Sequence, residues 1–230
     1  MKWLLIAVFV LALLEWIAIA LGKKKLEYFA KPATIVVLIT WVLAAANTTE
    51  TSSACLTWFV IGLSFSLLGD VFLLLPPERW FMWGLVAFML GHVAYIIGFS
   101  VFSLADKTVI LAAILGFIIV VVGVQIFLRL RVGLQISGRD NLIIPVGVYS
   151  LVISYMLFSA VYSFLNPNWT TSEAYLVSVG ALLFYISNVL NAWERFVSPF
   201  EKGRLKVMVT YHLGQIALAV GATLHFTGLV

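Results

Sequence analysis

The chain has 230 residues, 63% of them apolar and 10% charged, with a net charge of +4 and a mean hydropathy of +1.11. Soluble domains carry about 25% charged residues, so a water-soluble globule is excluded. The Lys and Arg residues stand in short gaps between apolar runs, a membrane-topology pattern and not a nucleic-acid surface. A single cysteine, Cys55, leaves no intrachain disulfide, and there is no Cys/His metal spacing or Gly-rich nucleotide loop.

Apolar runs cover residues 3–21, 26–46, 55–75, 81–104, 109–128, 142–165, 174–193 and 207–230. Each is about 20 residues long, the length of a spanning helix, and a lipid-exposed backbone must satisfy its own hydrogen bonds. The expectation is one all-α transmembrane domain over residues 1–230, with eight spanning helices and a weak parallel repeat of two four-helix halves. The first run also resembles a signal peptide, ending in Ala18-Ile19-Ala20. Glu15 inside it and Lys23, Lys24 and Lys25 directly behind it favour a retained span.

If the gap after the first helix is cytosolic, twelve cations fall on that side: Lys23, Lys24, Lys25, Lys31, Arg79, Arg129, Arg131, Arg139, Arg195, Lys202, Arg204 and Lys206. Only Lys2 and Lys107 fall on the other, so both termini are expected to face away from the cytosol. Sequons at Asn47 and Asn168 sit in short loops and read as chance. Short loops and the absence of a targeting segment suggest a bacterial plasma membrane.

Glycines repeat every seven residues at Gly84, Gly91 and Gly98, with Ala87 and Ala94 between them, and again at Gly214, Gly221 and Gly228. Such faces let helix backbones approach closely in lipid, so the fourth and eighth helices are expected to be central.

An ionisable side chain within a span is costly unless it faces protein or water, so each is a candidate site residue. Glu15, Asp70 and Asn188 lie seven to nine residues before Lys23, Arg79 and Arg195. At about 1.5 Å per residue these depths agree to within a turn. Tyr211, His212, Gln215, His92, Tyr95 and Tyr149 fall in or near the same layer. Together they outline a polar cavity in the cytosolic half, with Lys31, Arg79, Arg195 and Lys206 at its mouth. Each has a plainer reading: Glu15 as an interhelical partner, His92 and His212 as packing donors and not metal ligands, His225 as interfacial, Trp80 and Trp83 as interface anchors, the cations as topology signals. Asp70 has no basic residue within a turn of its own helix, so burial without a cation is expected to leave it protonated, a general acid.

The stretches Ser66-Leu67-Leu68-Gly69-Asp70 and Gly84-Leu85-x-x-Phe88-x-x-Gly91-His92-x-x-Tyr95 resemble the YhhN family of lysoplasmalogenase-like membrane proteins. Lys31-Pro32-x-Thr34, Ser187-Asn188, Arg195-Phe196, Thr210-Tyr211 and Gln215 resemble further stretches of that family, so the likeness spans most of the chain. It implies an eight-helix hydrolase that cleaves the vinyl ether bond of lysoplasmalogens to a fatty aldehyde and a glycerophospho head group. No cofactor or metal is implied, and the implied partners are a lysophospholipid substrate and the bilayer.

The family's chemistry is usually assigned to two aspartates, and here the first is Asp70 while the second position reads Asn188. In a single-carboxyl scheme Asp70 protonates the alkene and then accepts a proton from water that Asn188 orients. A second carboxylate would have to come from Glu15 or Glu194. The resemblance further suggests a lysolipid whose phosphate meets Lys31, Arg195 or Lys206. A proton-coupled transporter of a small or lipid solute, or a silent lysolipid-binding homologue, would share the polar cavity.

Overall fold

A computed structural model of the chain describes residues 1–48, 54–99 and 108–228. Among the described residues eight helices are long and apolar enough to cross a membrane. They are α1 (Lys2–Ala20), α2 (Lys24–Ala46), α3 (Ala54–Leu74), α4 (Pro77–Phe99), α5 (Val109–Ile136), α6 (Ile143–Tyr162), α7 (Thr171–Phe196) and α8 (Gly203–Thr227), with 3₁₀ turns at Asp140–Leu142 and Ser163–Leu165. The protein is an integral membrane protein.

Helix ends differ from the apolar runs where polar residues continue a helix. α5 runs eight residues past Leu128, through Arg129 and Arg131, because long basic side chains reach out of the apolar layer while their backbone stays hydrogen-bonded. α4 starts earlier, at Pro77, whose missing N–H costs nothing at a first helical position. The end of the expected fourth run at Leu104, the outward cation Lys107, Thr49 of the first sequon and the last two residues, 229–230, lie outside the described residues.

Two helix pairs are built on glycine. In α3 and α4, a Cβ on Gly91 would lie 3.0 Å from the Gly62 carbonyl oxygen and 3.3 Å from Ser66 Oγ. In α7 and α8, a Cβ on Gly214 would lie 2.8 Å from the Phe184 nitrogen, and one on Gly180 2.9 Å from the Gly214 carbonyl oxygen. Backbone thus meets backbone, the contact that replaces hydrophobic burial as a source of attraction in lipid. Gly228, expected on the same face, has another job. Its φ of 63° puts it in the left-handed position that ends α8, and nothing lies within 4 Å of a Cβ there.

α8 is central, packing on α1, α2 and α3 as well as α7, and α4 packs on α6. The pairs α4 with α6 and α8 with α2 are those that two parallel four-helix halves would give; the repeat itself remains an expectation. α5 is peripheral. Its buried residues, Ala112, Gly123, Leu130, Gly133 and Leu134, form one narrow stripe against α6 and α7, and most of the rest of its surface is apolar and at least partly exposed.

The apolar core runs from Phe59, Leu63, Tyr95 and Phe99 through Phe184 to Met208 and Tyr211. The helix ends joined by the three short connections after α1, α3 and α7 lie together with the α5–α6 turn. This is called the basic end, because Lys23, Lys24, Lys25, Arg79, Arg139, Lys202, Arg204 and Lys206 are there.

Candidate functional site

Asp70 lies one turn from the end of α3, after a Ser-Leu-Leu-Gly run whose small Ser66 and Gly69 are buried against α4. Its side chain is buried and held on both oxygens. Lys31 Nζ of α2 is 3.0 Å from Oδ1, and the Tyr211 hydroxyl of α8 donates to Oδ2 at 2.6 Å. Three helices therefore converge on one carboxyl group. This corrects two expectations. Asp70 does have a cation beside it, supplied by another helix where spacing along α3 could not reveal it, so its burial is not the cation-free burial expected. Lys31 is itself buried, so its ammonium is committed to Asp70 and not offered at the cavity mouth to a phosphate.

Asp70, Lys31 and Tyr211 form the floor of a cavity of about 280 Å³ whose wall includes Phe88, Phe184, Ser187, Asn188, Asn191, Glu194, Arg195 and Arg204. Burial falls steadily from Asp70 to the exposed Arg204, so the cavity opens at the basic end. Asn188 stands on the α7 wall. Its Nδ2 donates to the Phe184 carbonyl at 2.8 Å, and its Oδ1 accepts from the Tyr149 hydroxyl of α6. A primary amide offers two N–H donors and two lone pairs, so one of each is left for a ligand or water. Ser187, also on the wall, has its hydroxyl proton committed to the Val207 carbonyl at 2.8 Å.

The remaining expected residues divide into separate groups. Tyr95 donates to Gln215 Oε1 at 2.7 Å, and Gln215 Nε2 donates to Ser66 Oγ at 3.0 Å. Because Ser66 is four residues before Asp70, this buried net lies about 6 Å beneath the carboxyl, one turn down α3. His212 faces α1. Trp16 Nε1 donates to its Nδ1 at 3.1 Å, and its Nε2 lies 3.1 Å from Glu15 Oε2. An indole N–H only donates, so Nδ1 is an acceptor and the Nε2 nitrogen that faces Glu15 bears the proton. Glu15 and His212 join α1 to α8 without lining the cavity.

His92 Nδ1 is bonded to the Phe88 carbonyl. Its ring stacks on Phe184 with centroids 4.8 Å apart and meets Tyr149 edge-on at 5.3 Å, so it buttresses both neighbours of Asn188. His225 lies at the opposite end of the bundle, 2.9 Å from Glu173 and stacked on Trp169 at 3.7 Å.

Two cations expected at the mouth are elsewhere. Arg79 lines a separate depression with Glu78, Arg139 and Arg195, and Lys206 is exposed with its Nζ 5.5 Å from the Phe200 ring centroid. Both follow from helical phase: depth along an axis does not say which face a residue occupies. Arg204, read from sequence only as a topology charge, takes their place. Its Nε donates to Glu27 Oε1 at 2.8 Å, bridging α8 and α2 at the rim. Glu27 was missed, although its place four residues before Lys31 on α2 put both on one face. Arg195 lies over the Phe81 ring, 4.8 Å from its centroid, and borders three cavities. Glu194 lines the mouth, and Glu15 does not.

The YhhN family matches the chain over residues 26–222. Among curated proteins, human "Lysoplasmalogenase TMEM86B" is 26% identical over 96% of this chain and 86% of its own length. Human "Lysoplasmalogenase TMEM86A" is 30% identical over 72% of this chain and 65% of its own length. A Mycobacterium tuberculosis "Lysoplasmalogenase" is 28% identical over 78% of this chain and 66% of its own. The chain thus spans a little under two thirds of TMEM86A. No solved structure matches.

Proposed function

The chain belongs to the YhhN family, and we propose that it is a membrane-embedded hydrolase that cleaves the vinyl ether bond of lysoplasmalogens. The observation that carries the reading is Asp70, buried, gripped by Lys31 and Tyr211, at the floor of a polar cavity with a primary amide on its wall. The names of its relatives point to the same reaction.

Vinyl ether hydrolysis starts with proton transfer to the alkene carbon distant from oxygen, which leaves an oxocarbenium ion. The proton is the one shared within the Lys31–Asp70 pair. In a dry site a charged pair and its neutral form, amine beside carboxylic acid, lie closer in energy than in water, because charge separation is poorly solvated. Donation from the Asp70 carboxyl to carbon leaves Asp70 as a carboxylate beside the new cation, which it stabilises. Water held at the free N–H of Asn188 then adds to the oxocarbenium carbon and returns its proton to the pair. The resulting hemiacetal collapses to a fatty aldehyde and the glycerol hydroxyl of the head group. One water is consumed, and Lys31 and Asp70 end as they began.

In this reading Arg195 at the rim meets the lipid phosphate, since guanidinium groups bind phosphate oxygens in pairs, and Arg204, whose Nε and Nη2 are held by Glu27, adds its charge beside it. By the excess of cations on the basic end, that end and the cavity mouth face the cytosol and both termini face away; short loops suit a bacterial plasma membrane. The test is aldehyde release from a defined lysoplasmalogen by the purified protein in lipid nanodiscs. Turnover that disappears in Asp70→Asn, with the protein still folded, is the expected result. Turnover that survives Asp70→Asn refutes the mechanism. A proton-coupled carrier would instead move a solute across sealed vesicles with no aldehyde produced.

A further inference from the structure

Beside the polar cavity lies a second, mostly apolar space between α4, α5, α6 and α7. It is about 60 Å³ and is bounded by Leu85, Ile126, Leu130, Val146 and Ile153. It shares Leu73, Phe88, Asn188, Asn191 and Arg195 with the polar cavity, so the two adjoin at the wall that carries Asn188. A third space, a groove of about 590 Å³ between α5 and α6, shares Gly123 and Ser150 with the second. Its borders, including Val120, Val124, Leu151 and Tyr155, are exposed on the lipid-facing side. The three spaces therefore form a series from the Asp70 floor to the outside of the bundle.

We propose that this series is the path of the substrate's aliphatic chain: through the apolar chamber, past Gly123, and into the α5–α6 groove. The proposal rests on the lysolipid reading above and extends it to the route by which the lipid enters.

The lining, length and depth of the series suit one hydrocarbon chain. The Ser150 hydroxyl, at the junction, donates to the Val146 carbonyl of its own helix at 2.7 Å, so it presents no free donor to the passage. The groove follows α5 from Gly116 to Phe127 and α6 from Gly147 to Phe158. Eleven rises of about 1.5 Å make it roughly 16 Å long, which is half of the roughly 30 Å hydrocarbon layer, the depth of one leaflet's chains. α6 begins at Ile143, so the groove starts about 6 Å inside the basic end, level with the chamber and not at the far surface. α5, which closes the passage on one side, is the helix with the narrowest buried stripe, and Gly123 lies on that stripe. A Cβ at Gly123 would stand 2.9 Å from Ser154 Oγ and 3.5 Å from the Tyr185 hydroxyl. A larger residue there would press on these side chains at the junction of chamber and groove.

The probe is a non-cleavable hexadecyl ether lysophospholipid with a diazirine at the end of its chain, photolysed with the unsubstituted protein in nanodiscs. Labels mapped by mass spectrometry are expected on segments 116–127 and 147–158, and excess unlabelled lysophospholipid is expected to suppress them. In Gly123→Leu the suppressible labelling of residues 116–120 should fall about tenfold or more, the scale on which a closed pocket rejects a chain. Labelling that excess lysophospholipid does not suppress would mean ordinary bilayer contact and would overturn the proposal; so would suppressible labelling confined to other helices. Aldehyde release from the vinyl ether substrate is measured separately. Suppressible labelling in the groove without turnover sinks the hydrolase reading and keeps the chain path, whereas turnover with labels elsewhere does the reverse.

Discussion

Removing Lys31 should cost more than any surface substitution, and removing Asp70 with it should give much of that cost back. At 3.0 Å and an effective dielectric constant of about 20, the attraction between the two charges is roughly 5 to 6 kcal/mol. Losing one partner of a buried pair costs about 3–5 kcal/mol, because the other charge is then stranded. Lys31→Met leaves Asp70 with only the Tyr211 hydroxyl, and Asp70→Asn leaves a buried ammonium facing an amide. In the double variant no charge remains, Tyr211 can still donate to the amide oxygen, and methionine fills most of the lysine stem's volume. Its loss should fall below the sum of the two single losses by about 2–4 kcal/mol. The assay is reversible unfolding in mixed micelles by titration with a denaturing detergent, across the four members of the cycle. Single losses that add to within about 0.5 kcal/mol would refute a buried ion pair. Aldehyde release should be absent from the double variant however stable it is, which separates the pair's structural part from its chemical one.

Three further outcomes are expected. Thr170→Ala breaks the reciprocal cap in which Thr170 accepts from the Glu173 backbone and Glu173 from that of Thr170; unfolding should show a loss of about 1 kcal/mol, and none would mean that water caps α7 equally well. Gly214→Val forces a side chain against the Phe184 backbone and should cost about 1–3 kcal/mol or more by the same measurement, whereas Gly228→Asn should be nearly neutral because asparagine tolerates the left-handed cap. Arg195→Gln should raise KM for a phosphate-bearing lysolipid by about tenfold or more with little change in kcat, as expected for loss of a charged hydrogen bond made equally in ground and transition states; an equal fall in kcat would place Arg195 in the chemistry.

The eight spans were legible because length and hydropathy are one-dimensional properties, and so were the glycine contacts of α4, Gly214 and Gly221, because a seven-residue spacing keeps one helix face. Depth was legible too: Asp70, Asn188 and Tyr211 do share a layer. Azimuth was not. Counting residues from a helix end says how deep Lys206 and Arg79 lie but not that their faces miss the cavity, nor that Lys31 turns inward onto Asp70. Arg204 and Glu27 were overlooked because a charge near a helix end looks the same whether it faces water or a rim. The division of the polar layer into a cavity floor, a net beneath it and an α1–α8 link depends on which helices are neighbours, and no periodicity within one helix encodes that.

Asn188 is where the chemistry and the packing can be played against each other. Its amide is used at both ends, accepting from Tyr149 and donating to the Phe184 carbonyl. A carboxylate in its place would turn a lone pair toward that carbonyl, whereas the proton-bearing acid would keep both bonds, its O–H toward Phe184 and its carbonyl oxygen toward Tyr149. Asn188→Asp therefore adds a carboxyl to the wall of the Lys31–Asp70 cavity with little rearrangement, and its one proton reaches the alkene only by leaving the Phe184 carbonyl. If proton supply to the alkene limits the reaction, aldehyde release should rise about 10- to 100-fold, part of the range that a positioned acid or base contributes. No rise, with lysolipid binding intact, would mean that the Lys31–Asp70 proton suffices and that the amide's task is to hold water. Turnover that appears only in Asn188→Asp would mean that the unsubstituted chain binds lysolipid without cleaving it, and would overturn the one-carboxylate mechanism while leaving the cavity as its binding site.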